Sequence, residues 1–97
     1  MIRSFWNRET EEIYDGASTK KARRTLPEEL WENAQDKLDI LDSAETLQDL
    51  KSPPGNELEK LSGDRAGQHS IRINRQYRIC FRWSSSGAED VEITDYH

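Results

Sequence analysis

Apolar residues recur along positions 25–44 at the spacing of one helical face. The recurring positions are Leu30, Ala34, Leu38 and Leu41. This spacing predicts an amphipathic helix that buries a single stripe. Pro27 and the glutamates after it suit the first turn, because a missing N–H costs little there and acids favour the helix dipole. A shorter helix is predicted over residues 9–16, with Gly16 suited to end it.

The second half of the chain alternates apolar and polar positions with a period of two, which is typical of strands with one buried face. Four segments show it: "NELEKLSG", "HSIRIN", "YRICFRW" and "VEITDY". "IRSFW", near the start, predicts a further short strand. The segment "KSPPGN" holds two prolines and a glycine, so it separates the helical half from the strands.

Residues 17–26 lie between the two predicted helices and show no apolar face. The tract "KKARR" gives this segment four positive charges in five residues. We therefore expect a mobile basic loop here.

Together these elements predict an α+β fold in one domain that spans residues 1–97. A chain of 97 residues seldom divides into two domains. Strands with apolar side chains on one face and arginines on the other predict an antiparallel sheet. The N-terminal helices are expected to cover one face and to leave the other open.

Composition narrows the class of protein. No apolar run approaches the ~20 residues of a membrane span, and the N-terminus does not resemble a signal peptide. A single cysteine excludes an internal disulfide, and one cysteine with two histidines offers few ligands to a structural zinc ion. We expect a cytoplasmic protein without a bound metal, a cofactor or a membrane partner.

Charge is sorted along the chain, although the net charge is −5. Residues 28–49 hold eight acids against one lysine, whereas residues 60–82 hold six basic residues against one acid. Alternation places Arg72, Arg78 and Arg82 on the open sheet face, where guanidinium groups are suited to bind phosphate. For Arg82 alone, an ordinary solvent-facing arginine is the better reading; for Arg78, in the most apolar strand, function is favoured.

Other reactive side chains fit structural roles better. Cys80 is read as a small apolar filler, because no Cys/His/Asn set surrounds it in the pattern. His69 shares the parity of Ile71 and is read as a structural histidine at a strand edge. The three tryptophans are expected in the core rather than as stacking platforms for bases.

The stretch "LEKLSGDRAGQHSIRINRQYRICFRW", followed by "DYH", resembles the HigB-type toxins of bacterial type II toxin–antitoxin systems. These toxins belong to the RelE/ParE superfamily. "SPPGNELEKLSG" and "RAGQHSIR" are most similar to its host-inhibition branch, which includes GraT. The resemblance covers nearly the whole chain. It implies a small antiparallel sheet with mixed edges and N-terminal helices packed on one face.

The resemblance also implies an activity, namely cleavage of mRNA on translating ribosomes without a metal ion. Glu59 would be the base for the 2′-OH, Arg78 the phosphate clamp, and His97 the general acid, positioned by Tyr96. An imidazolium is a suitable acid near neutral pH. The basic residues implied to bind RNA phosphates are Arg65, Arg72, Arg82 and Lys60.

The chain departs from the family pattern at two positions. HigB proteins typically carry a histidine and a lysine where this chain has Glu59 and Ser62. A glutamate base is found in the YoeB branch, but the charge of the lysine is missing, so we expect a mild ribonuclease. The implied partner is a HigA-like helix-turn-helix antitoxin that carries the toxin to operator DNA.

Two other functions stay open at this point. ParE proteins share the fold but poison DNA gyrase by binding, without the nuclease residues. A plain RNA-binding module would need only the arginines. Glu59, Arg78 and His97 together distinguish an enzyme from either alternative.

Overall fold

Three α-helices occupy the N-terminal half of the computed structural model, which describes residues 1–95. Helix α1 (Arg8–Asp15) begins where the Asn7 side chain accepts a hydrogen bond from the Thr10 backbone N–H. It ends at Gly16, whose φ of +76° is the left-handed conformation that glycine adopts without strain. The helix predicted over residues 9–16 is therefore confirmed.

The prediction of a loop over residues 17–26 is wrong. This segment contains helix α2 (Lys20–Thr25), and the Thr19 hydroxyl caps it by accepting from the Ala22 N–H at 3.1 Å. Ala22 and Leu26 are fully buried and hold the segment to the core. Ala22 is the single apolar residue among the six of this mostly basic helix, so the sequence shows no helical periodicity here.

Helix α3 (Trp31–Ser43) is the long predicted helix, and it starts later than its sequence suggests. A 3-10 turn over Glu28–Leu30 precedes it. Trp31 is buried, and its indole N–H donates to the Leu26 carbonyl at 2.8 Å. A second 3-10 turn, Leu47–Lys51, follows the helix.

The second half folds into one four-stranded sheet. Its strands are β1 (Glu59–Lys60), β2 (His69–Arg72), β3 (Tyr77–Ser84) and β4 (Gly87–Asp95), and they lie in chain order with every neighbouring pair antiparallel. Near the N-terminus, Ile2 and Phe5 form isolated parallel bridges to β4. This parallel segment beside β4 confirms the α+β fold with a mixed edge.

The helices cover one face of the sheet, as predicted. Ile71, Ile79 and Phe81 on that face share one buried cluster with Ile13 and Leu38 of the helices. Because side chains alternate along a strand, the residues between them point to the second face, which carries the predicted arginines. Along residues 1–95, every helix is too short or too polar to cross a membrane.

Candidate functional site

Arg78 is the second residue of β3 and lies on the face opposite the helices. The residue is only 9% exposed, so this face is not open along its whole length as predicted. The guanidinium donates through Nε to the Ser70 hydroxyl at 2.8 Å and through Nη2 to the Glu57 carbonyl. These contacts hold the cation in one orientation, which is what a group that stabilises a developing charge requires.

Glu57 covers this part of the face, and its role was not foreseen from the sequence. It adopts φ +44°, an uncommon left-handed conformation for a residue other than glycine. Its carboxylate lies 3.6 Å from Arg72 Nη1 and 3.8 Å from Arg78 Nη1. It forms ion pairs with two of the predicted phosphate-binding arginines.

Asn56, just before Glu57, anchors the segment that carries this carboxylate. Its side chain is fully buried and donates to the carbonyls of Leu50 and Ser52, while its oxygen accepts from Lys37 Nζ at 2.6 Å. Burial with both ends of the amide satisfied is what keeps a polar side chain stable inside a protein. The hydrogen bonds of Asn56 thus fix the position of the "SPPGN" segment, and with it the position of Glu57 on the sheet.

Glu59 lies on the same sheet face as Arg78. In the register of β1 with β2, Glu59 stands directly opposite Ser70, and the Ser70 hydroxyl binds Arg78. Glu59 is exposed, so its carboxylate is accessible to a ligand. The predicted base on β1 and the predicted clamp on β3 are therefore on one surface, with β2 between their strands.

Lys60 does not share that surface. It pairs with His69, whose ring stacks against Phe81 of the core face at 6.2 Å between centroids. The register places Lys60 on the opposite face from the arginines, because neighbouring residues of a strand point to opposite faces, and its role in RNA binding stays a prediction. Burial, and then the charge of Lys60, lower the pKa of His69, and its Nδ1 makes no hydrogen bond to any described residue.

Arg65 and Arg82 line a polar cleft of about 500 Å³ farther along the arginine face. Arg65 pairs with Glu92 at 3.2 Å, and Arg82 pairs with Asp90 at 3.8 Å. Trp6 also lines this cleft and is 65% exposed, so the expectation that all three tryptophans are in the core is wrong for Trp6.

Each predicted phosphate-binding arginine has an acidic partner. Glu57, Asp90 and Glu92 compensate four arginines within the described part of the chain. The face is charge-compensated rather than openly basic, which a count of basic residues along the strands does not reveal. Cys80, on the same face, is buried as predicted for a filler, and burial raises the pKa of its thiol.

Tyr96 and His97 lie outside the described residues. The described part of β4 ends next to Arg78 on the neighbouring strand, because Thr94 pairs with Arg78 and Asp95 pairs with Tyr77. No group of three or more potential metal ligands is found in residues 1–95.

Comparison with protein families finds a match over residues 3–97 to the family described as RelE-like toxin of type II toxin–antitoxin system HigB. Among curated proteins, toxin HigB-1 of Vibrio cholerae is 39% identical over 83 residues, which cover 86% of this chain and 84% of that toxin. A protein of Haemophilus influenzae is 36% identical over 68 residues, covering 70% of this chain and 67% of its own.

Among solved structures, the YoeB–YefM complex of Staphylococcus aureus contains a chain with the same fold. The TM-score is 0.61 at 16% identity, and the match covers 100% of this chain and 98% of that one. A heterotetrameric YoeB–YefM toxin–antitoxin complex from the same organism matches equally well.

Proposed function

This chain belongs to the HigB-like family of RelE-like toxins of type II toxin–antitoxin systems, and on that premise we propose that it is an endoribonuclease that inhibits growth by cleaving mRNA. Translating ribosomes are the proposed place of action, and the cytoplasm the proposed compartment. The observation that carries the proposal is the buried Arg78, held in a fixed orientation on a sheet face that also presents Glu59.

The proposed reaction is attack of an RNA 2′-OH on the adjacent phosphorus, with departure of the 5′-oxygen. Glu59 accepts the proton of the 2′-OH, and Arg78 stabilises the charge that accumulates on the phosphoryl oxygens. His97 donates a proton to the leaving 5′-oxygen, and Tyr96 positions it. The reaction thus uses one base, one cation and one acid, all supplied by the chain.

RNA would approach along the arginine face. Arg72 lies beside Arg78, whereas Arg65 and Arg82 line the cleft farther along the sheet. Since each arginine pairs with a carboxylate in the free protein, RNA phosphates must replace those carboxylates when they bind. Replacing a carboxylate with a phosphate at each arginine should weaken RNA binding. Weak binding agrees with the mild activity that we expect because Ser62 stands in place of a lysine.

We propose that an antitoxin neutralises the protein. Support comes from the structural likeness to chains found in YoeB–YefM toxin–antitoxin complexes. A HigA-like helix-turn-helix partner would bind operator DNA and carry the toxin with it.

Controlled expression in cells tests this function. We expect growth arrest together with new 5′ ends in mRNA, and both should disappear when the antitoxin gene is expressed with it. Arg75→Ala should arrest growth like the wild type and serves as the control for loss of one positive charge. Arg75 is an exposed arginine of the turn between β2 and β3 and belongs to no proposed site. Growth arrest with intact mRNA and inhibited DNA supercoiling would support a gyrase poison instead.

A further inference from the structure

We propose that the Glu57 carboxylate occupies the position of an RNA phosphate between Arg72 and Arg78, so that it competes with RNA for the two arginines. This inference rests on the proposed function, because it concerns the same substrate at the same site. It assigns Glu57 a role in setting the affinity for RNA, separate from the proposed base Glu59.

The register of the sheet explains why an anion is needed at this point. Arg72 and Arg78 are direct cross-strand partners on β2 and β3, and like charges directly opposite each other destabilise a sheet. The Glu57 carboxylate lies within 4 Å of both guanidinium groups, at 3.6 and 3.8 Å. Carboxylate and phosphate oxygens make the same charge-assisted contacts with arginine, so a phosphate satisfies the pair equally well.

The Glu57 side chain is placed to leave without releasing Arg78. It is 52% exposed, and its ion pairs are longer than direct hydrogen bonds. The Glu57 backbone carbonyl and the Ser70 hydroxyl hold Arg78 independently of the carboxylate. A phosphate that displaces the carboxylate therefore meets an arginine that is already oriented.

The other acids on this face compete less at the centre of the site. Glu92 pairs with Arg65 and Asp90 pairs with Arg82, each contacting one arginine of the cleft. Only Glu57, among the described acids, forms an ion pair with Arg78. Its removal is therefore expected to change RNA binding more than removal of either other acid.

The test compares two variants that raise the net charge by the same amount. Glu57→Gln and Asp90→Asn each remove one negative charge, and both positions have a positive φ in the native protein. The probe is a single-stranded 2′-O-methyl oligonucleotide, which binds but provides no 2′-OH nucleophile. Affinity is measured by fluorescence anisotropy at one fixed salt concentration, and folding by melting temperature.

We expect Glu57→Gln to bind the oligonucleotide about three- to tenfold more tightly than the wild type, since two partly exposed ion pairs no longer compete. The increase in affinity for Asp90→Asn should be less than half as large. Glu57→Asn, a shorter residue that tolerates the left-handed conformation, should repeat the gain if Glu57→Gln folds poorly.

Equal gains for Glu57→Gln and Asp90→Asn would overturn the inference, because they would reflect net charge alone. Weaker binding by both Glu57 variants would also overturn it. In either case, a wild-type protein that still binds and cleaves RNA would leave the proposed function standing. If the wild type neither binds nor cleaves RNA, the proposed function fails, and this inference fails with it.

Discussion

Arg78→Ala is expected to lose both catalysis and stability. Under the proposed mechanism the substitution removes the charge that stabilises the transition state, and the loss of one such donor slows reactions by about 10²–10³-fold. It also leaves the fully buried Ser70 hydroxyl and the Glu57 carbonyl without their arginine donor. An unsatisfied buried polar group costs about 1–3 kcal/mol, so the free energy of unfolding should fall measurably.

The stability part of this result differs from what the sequence predicts. By alternation alone, Arg78 stands on an open face and its removal leaves the fold intact. Because the structure buries Arg78, activity must be compared at matched folded concentrations. The measurements are urea denaturation and the rate of cleavage of a defined mRNA.

Two further variants separate the effects of charge and packing at Arg78. Arg78→Lys keeps the charge but lacks the planar fork of donors, so it should recover part of the stability and little of the rate. Arg75→Ala removes the same charge from an exposed turn and should change stability by no more than about 0.5 kcal/mol. A folded Arg78→Ala protein that cleaves mRNA at the wild-type rate would show that Arg78 is not catalytic.

Removing His97 is expected to separate activity from stability. Under the proposed mechanism the protein that ends at Tyr96 lacks its general acid, a role that contributes about 10²–10⁴-fold to rate. Loss of this single residue is expected to change the free energy of unfolding by no more than about 0.5 kcal/mol. The truncated protein should therefore melt at nearly the wild-type temperature while cleaving mRNA far more slowly.

His97→Gln provides the matched control for this truncation. Glutamine keeps a hydrogen-bonding side chain of similar reach but cannot transfer a proton as an imidazolium does. It should be as inactive as the truncation if proton donation is the role of His97. If either protein cleaves mRNA at the wild-type rate, His97 is not the general acid.

Strong local signals predicted most of the fold. The stripe of α3, the stop at Gly16 and the period-two strands were each sufficient to locate an element, because buried faces impose those spacings. Helix α2 was missed because tertiary burial of Ala22 and Leu26, rather than periodicity, holds it in place. Such anchoring depends on the rest of the core and leaves little trace in the local pattern.

The sequence predicted which sheet face carries the candidate site residues more successfully than it predicted their contacts. Strand alternation correctly placed Arg72 and Arg78 on one face, and register brought Glu59 to it. The ion pairs of Glu57 were not predictable, because they depend on a left-handed turn that follows the "SPPGN" segment. For the same reason, the burial of Arg78 was not visible in alternation alone. The exposure of Trp6 was not visible in alternation either, since alternation does not show which residues of a short segment pack on the core.

The chemistry of the RNA ends tests the proposed mechanism. Purified protein is incubated, with and without ribosomes, with an mRNA and with the same RNA carrying a single 2′-O-methyl group at the mapped cleavage site. We expect products with a 2′,3′-cyclic phosphate and a 5′-hydroxyl, because the 2′-oxygen attacks the phosphorus and the 5′-oxygen leaves. We also expect no cleavage at the methylated position. Products with 5′-phosphate ends, or cleavage at the methylated nucleotide, would contradict the proposed roles of Glu59, Arg78 and His97.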